Sequence, residues 1–291
     1  MRLSILSFTI LLVAGPLVWA QDLEDIFANL QQAESKKDAA QIKKLATEAL
    51  TLANQVVATP APASAEDKEN WAARVARARD IQVRAEYDLY ATAASAPAAT
   101  AVELLSTLER LSPKSKYLDE GYARYFQALS QSGASAKIPA VAENALKNFP
   151  ENEDALLMLA DVALKGKQSD RASAYAERAI AAIGKHGKPG MTLGQAHWIA
   201  GIVHMEKSQF YEANKDLRAA LPFIKGNEAM MGAALFHLGV ANYQLGKTFM
   251  RKAQVVEAVK FSEEAAKIKG PFAEQAWRNA YIMKTEGAKM R

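Results

Sequence analysis

The chain contains no cysteine in 291 residues. That absence excludes disulfides, thiolate metal sites, iron–sulfur clusters, c-type haem attachment, cysteine nucleophiles and a lipid-modified N-terminal cysteine. Glycine (15) and proline (10) are sparse and aromatics reach only 8%, while alanine recurs in runs such as AAQIKKLATEAL and RASAYAERAIAAI. This composition favours helix and argues against an all-β fold. Charge of one sign is also lacking: 36 basic residues are intermixed with 32 acidic ones, for a net +4, which is a mildly basic surface and no nucleic-acid footprint. Half of the residues are apolar, enough to exclude disorder over most of the chain and to bury the core of two average domains or one long repeat array.

Long apolar runs are missing everywhere except at the start. MRLSILSFTILLVAGPLVWA places Arg2 before an apolar stretch from Leu3 to Val13, a break at Pro16, and Val18 and Ala20 at positions that suit signal peptidase. Residues 1–20 read as a secretory signal peptide cut after Ala20, with the mature chain beginning at Gln21. Cleavage removes one arginine and changes the charge from +4 to 4 − 1 = +3. No other stretch reaches the roughly 20 apolar residues of a spanning helix, so the expectation is a periplasmic or secreted protein with no membrane span after cleavage.

Helical periodicity continues from Leu23 almost to the end, broken at regular distances by Gly, Pro and short polar loops. The segment ATPAPASAED, residues 58–67, reads as a linker, because Pro60 and Pro62 cannot sit in helix interiors. It sets off an N-terminal helical hairpin, residues 21–57, from a helical array over 68–291. After the linker, Trp71, Val75, Ala78, Ile81, Ala85 and Leu89 mark one face of a helix of roughly 28 residues. Further on, the same small residues return at a fixed interval: Ala145 and Ala179, Phe126 and Ala160, and Ala142 and Ala176 are each 34 apart. Gly201, Ala213, Leu217 and Ala220 repeat the frame, as do Gly239, Ala258, Ser262 and Ala265. The step from Ala160 to Gly201 is 41, the extra residues falling in GKHGKPG, and the last copy carries an insertion near KTFMRKA.

These spacings resemble the tetratricopeptide repeat, a helix–turn–helix unit in which small and large positions interlock two antiparallel helices. The resemblance implies an all-α fold, a solenoid of such repeats. Units fall at about 119–152, 153–186, 194–227 and 232–270, with another at 82–115, a degenerate one at 23–53, and a closing helix bearing Phe272, Ala276, Ala280 and Met283 on one face. It further implies that the first helix of each repeat lines a concave groove. The groove residues are then Glu86 and Tyr90; Glu120 and Gln127; Asp154, Leu157 and Asp161; Trp198, Ile202 and Met205; Phe236, Val240 and Tyr243. The list is acidic at the front and apolar or aromatic behind, unlike the Lys, Arg and Asn set with which the carboxylate-clamp members of the family hold a C-terminus. A basic or apolar protein segment is the partner this chemistry suits.

Catalytic patterns are scarce. His197 and His204 share a helix face, but seven residues of rise separate them by about 10 Å, too far for one metal, so they read as partly buried packing residues. LGKTFM lacks the upstream glycine of a phosphate-binding loop, and no serine sits in a G-x-S-x-G elbow. The expectation is a noncatalytic exported scaffold or adaptor with no cofactor and no metal, supporting a cell-envelope complex. The alternatives are an envelope enzyme or enzyme subunit of cell-wall hydrolase type, marked by an isolated buried acid with a raised pKa in a cleft, and a self-associating structural protein.

Overall fold

A computed structural model describes residues 16–186 and 189–290, with the side chains of residues 16–21 and His186 outside the description. Most of the signal-peptide reading, residues 1–15, therefore lies outside the described residues. Among the described residues every regular element is helical. The helices are α1 (Pro16–Ser35), α2 (Ala39–Ala58), α3 (Ala65–Ser95), α4 (Ala98–Leu111), α5 (Lys116–Gln131), α6 (Ile138–Asn148), α7 (Glu153–Lys165), α8 (Ser169–His186), α9 (Met191–Glu206), α10 (Phe210–Ile224), α11 (Glu228–Thr248), α12 (Lys252–Lys267) and α13 (Ala273–Ala288). None is long and apolar enough to cross a membrane.

Local chemistry sets the helix starts. Asp38 accepts hydrogen bonds from the backbone N–H groups of Ala40 and Gln41 at the head of α2, Ser64 from Asp67 at α3, Asn152 from Ala155 at α7, and Asn227 from Met230 at α11. Each satisfies donors that a helix N-terminus leaves open. The ends share a device of their own. The turns after α1, α5, α7, α9 and α11 each place one residue at positive φ: Lys37 (54°), Gly133 (77°), Lys167 (56°), Ser208 (58°) and Met250 (54°). In each, the following amide reaches back five residues to a helix carbonyl, as Gln168 N to Ala163 O does at 2.8 Å and Gln209 N to His204 O at 2.8 Å. This is the Schellman-type ending, made here four times out of five without glycine.

Cα packing divides the chain into two compact units, Met1–Ser135 and Ala136–Arg291. The division falls between α5 and α6, inside the segment 119–152 whose spacing reads as one repeat. Residues 59–64 form a nonhelical stretch, yet the helices on either side of it belong to one unit. The indole N–H of Trp71 donates to the Thr59 carbonyl at 3.1 Å, the side chain of Gln82 bonds that of Asn54, and α2 lies along α3. Leu30, Leu50, Ile81, Leu89, Leu104, Leu108, Leu118 and Tyr122 are fully enclosed in the core of this first unit.

The second unit is built of helices packed on their chain neighbours, with a core rich in alanine. Ala172, Ala176, Ala179 and Ala182 form the buried face of α8, and they meet Leu156, Ala160, Ala196, Ile199 and Val203 of α7 and α9. Small side chains let helix axes approach closely and keep the packing dense. First and second helices of the pairs differ in their neighbours. The first helices of successive pairs touch one another, α7 with α9 and α9 with α11, whereas among the described residues the second helices α8, α10 and α12 do not.

Candidate functional site

In the first unit the sequence-selected residues lie on α3 and α5. Tyr90 is half-buried and stacks on Tyr117, with ring centroids 5.9 Å apart; Tyr87 meets the same ring edge-on at 5.4 Å. The ammonium of Lys116 stands 4.8 Å from the Tyr117 centroid, so the cluster is aromatic with a cationic edge. Glu86 is half-buried beside a shallow depression that Asn54, Gln82 and Lys116 also line. Glu120 and Gln127 are exposed on α5. Between them, Arg124 donates to the carbonyls of Ala93 (3.1 Å) and Ala96 (2.6 Å), closing the end of α3.

In the second unit the residues divide by what they touch. Leu157 (4% exposed) and Phe236 (7%) are core. Leu157 joins the α7–α9 cluster, and Phe236 stacks on Phe272 at 4.9 Å, so both are spent on packing. Trp198 wedges between that cluster and the next one, formed by Leu217, Ala220, Ile224, Ala234 and Leu238, with its indole nitrogen buried and without a hydrogen-bond partner among the described residues. Ile202 and Met205 lie against the second cluster and remain half-exposed. Asp154 and Asp161 are half-exposed on α7, the latter paired with Lys165 at 2.5 Å. The Tyr243 hydroxyl donates to the Glu286 carboxylate, and Lys247 lies 5.2 Å from the Tyr243 ring centroid and 3.4 Å from Glu286. Burial and the acceptor carboxylate raise the Tyr243 pKa. This trio ties α11 to α13 and still leaves the ring half-exposed.

The histidines are arranged in a way that spacing alone does not reveal. His197 Nδ1 lies 2.9 Å from Asp216 Oδ1 and hydrogen-bonds to it; His204 Nδ1 lies 3.1 Å from Oδ2 without the alignment of a hydrogen bond. One carboxylate on α10 thus bridges two imidazoles two turns apart on α9. Both rings turn Nδ1 to the carboxylate, and among the described residues no group of three such side chains is arranged to hold a metal ion. His237, half-buried with its ring edge-on to Phe236 and Phe272, has its pKa lowered to about 4 by desolvation, opposed by Glu206.

One buried acid, Asp88, and one half-buried acid, Glu109, are not marked by the periodicity. Asp88, 2% exposed on α3, has its pKa raised to about 6 by burial, offset in part by Arg84, whose Nε is 3.1 Å from Oδ1; Oδ2 has no hydrogen-bond partner among the described residues. Glu109 on α4 is likewise raised by burial, with the Tyr125 hydroxyl 3.5 Å from one oxygen. Asp88 occurs at a position where the helical period demands an apolar neighbour of Leu89, so the only signal is a charged residue abutting a core face. Glu109 has the same weak signature. A cavity of about 410 Å³ lies in the first unit, between α1, α2, α3 and the proline stretch. Comparison of the chain with models of known protein families and with curated proteins finds no match.

Proposed function

We propose that this chain is a noncatalytic helical-repeat scaffold of the tetratricopeptide kind, exported by an N-terminal signal peptide, which holds a protein or peptide partner along the first helices of its second unit. The observation that carries this reading is the contact asymmetry: α7 touches α9 and α9 touches α11, whereas among the described residues α8, α10 and α12 do not touch one another. Stacked helix pairs that approach more closely on one side curve toward it, and the first helices then form the inner face of a solenoid. On that face Asp154 and Asp161 are half-exposed on α7, Ile202 and Met205 on α9, and Val240 and Tyr243 on α11. Acidic side chains beside adaptable apolar ones suit a partner segment that is basic and apolar. The recurrence of one positive-φ turn after five of the first helices supports a common repeat unit.

The enzyme reading has in its favour the raised pKa values of Asp88 and Glu109. Neither lines any of the cavities described, and the Asp88 carboxyl faces Arg84 of its own helix at 3.1 Å. The scaffold reading is preferred for that reason.

Site-specific photocrosslinking tests it. A crosslinker placed at Met205 or Val240 is expected to capture one heterologous envelope protein in the native host, while the same group at Lys215 or Glu263, on second helices, captures none. Equal labelling from both sets, or adducts of the chain with itself alone, would overturn the assignment of the face. The N-terminal sequence of the exported protein tests the signal peptide, with Gln21 the expected first residue.

A further inference from the structure

The 410 Å³ cavity belongs to the first unit, and its chemistry differs from that of the first helices of the second. Its walls are Leu23 of α1, Val56 of α2, Pro60 and Pro62 of the intervening stretch, and Trp71 of α3. Proline has no N–H to offer, and the Trp71 N–H is already committed to the Thr59 carbonyl at 3.1 Å, so the interior presents apolar surface. That hydrogen bond also fixes the indole ring and pins the stretch to α3. The volume falls in the range of sites that enclose small molecules, which combine an apolar lining with a few placed polar groups.

The polar groups are at the rim. Arg77 donates from Nε and Nη2 to the two oxygens of Glu24, at 2.6 and 2.8 Å, which holds the Glu24 carboxyl below its usual range and occupies both partners. Arg74, one turn earlier on α3 and half-buried, makes no ion pair or hydrogen bond among the described residues. Glu24 and, from outside the lining, Asp80 both act on Arg77, which leaves Arg74 as the lining cation without a carboxylate partner among the described residues.

We propose that this cavity binds an anionic amphiphile, a medium-chain alkyl carboxylate whose chain fills the space between Leu23, Val56, Pro60 and Trp71 and whose headgroup pairs with Arg74. A neutral apolar molecule would leave the guanidinium without a partner, and a cationic one would meet it head on. The planar guanidinium fork matches a carboxylate in two parallel hydrogen bonds.

Calorimetric titration of the purified chain with decanoate and with decyltrimethylammonium, both below their micelle concentrations, tests this. Decanoate is expected to bind saturably at one site, and the cationic surfactant at least about tenfold more weakly. Arg74→Gln should weaken decanoate by about tenfold or more, the loss of one charge-assisted contact. Ala73→Phe, which adds bulk from an exposed position lining the cavity, should remove binding while leaving the circular dichroism melt unchanged. No decanoate binding, equal affinity for the two headgroups, or binding that survives Ala73→Phe would each overturn the proposal.

Discussion

At Gly201 a side chain has nowhere to go. A Cβ built there would fall 2.6 Å from Leu217 Cγ and 3.2 Å from the Leu217 backbone nitrogen, because α9 and α10 are in near-backbone contact at this point. Gly201→Ala is therefore expected to destabilise the second unit by roughly 1–3 kcal/mol, the range for overpacking a close contact, even though alanine is the better helix former by about 1 kcal/mol. Urea unfolding checks this, with Gly226→Ala as control, since a Cβ at Gly226 meets nothing within 4 Å. A Gly201→Ala variant as stable as its parent would refute the close approach. Gly201 and Gly239 are legible in sequence as repeat markers. Leu157 and Phe236 are not legible in the same way. Periodicity separates a covered from an uncovered face, but a first helix is covered by its own partner, by the next pair and, for Phe236, by Phe272 ahead of α13.

Helices are more legible than the turns between them. The apolar period marks where a helix must be, and α3 runs 31 residues along the face of Val75, Ala78, Ile81, Ala85 and Leu89 that its spacing defines. The extra residues in the last pair are absorbed by α11, which reaches 21 residues before the turn at Met250. The shared turn itself has no glycine signature, since lysine, serine and methionine hold the left-handed position at four of five sites. Such residues carry a strain of about 1 kcal/mol there. Lys167→Gly is expected to raise stability by about 0.5–1 kcal/mol, and Lys167→Val, β-branched at positive φ, to lower it by at least as much. Thermal unfolding of the pair measures both; a glycine variant that melts lower than its parent would contradict the turn assignment.

Over the whole molecule, the two units are expected to answer acid in opposite directions. His237 has a folded pKa of about 4 against an ordinary value of 6.5, so its contribution is present above pH 6.5 and is lost as pH falls toward 4. Asp88 has a folded pKa of about 6 against 3.8, so its contribution is present below 3.8 and is lost as pH rises through 6. Glu109 shifts the same way as Asp88. Glu24 opposes them below its own ordinary value of 4.5, but its pair with Arg77 is about half exposed on both sides and contributes little. Between pH 6.5 and 4.5, protection of α11 amides against hydrogen exchange should fall while that of α3 amides rises. Each effect is on the order of 2 kcal/mol across that window. Asp88→Asn should flatten most of the α3 trend and raise the first unit's stability at pH 7. Parallel pH trends in α3 and α11 would show that these two groups do not govern the response.

Composition and period, which are local properties of the chain, were enough to determine an all-helical protein whose helices pack with their neighbours. They also carried the absence of cysteine chemistry and the positions of most helices, because burial of one face imposes its spacing on the sequence. Contacts between residues far apart in the chain were decided by tertiary structure alone. Asp216 bridges His197 and His204 only because α10 folds back along α9. The cavity beside Trp71 gathers residues of α1, α2, α3 and the proline stretch, where Trp71 also bonds Thr59, and none of this is visible in local spacing. The division at Ser135 is likewise invisible locally, since it reflects how densely distant segments pack rather than any break in the helical pattern.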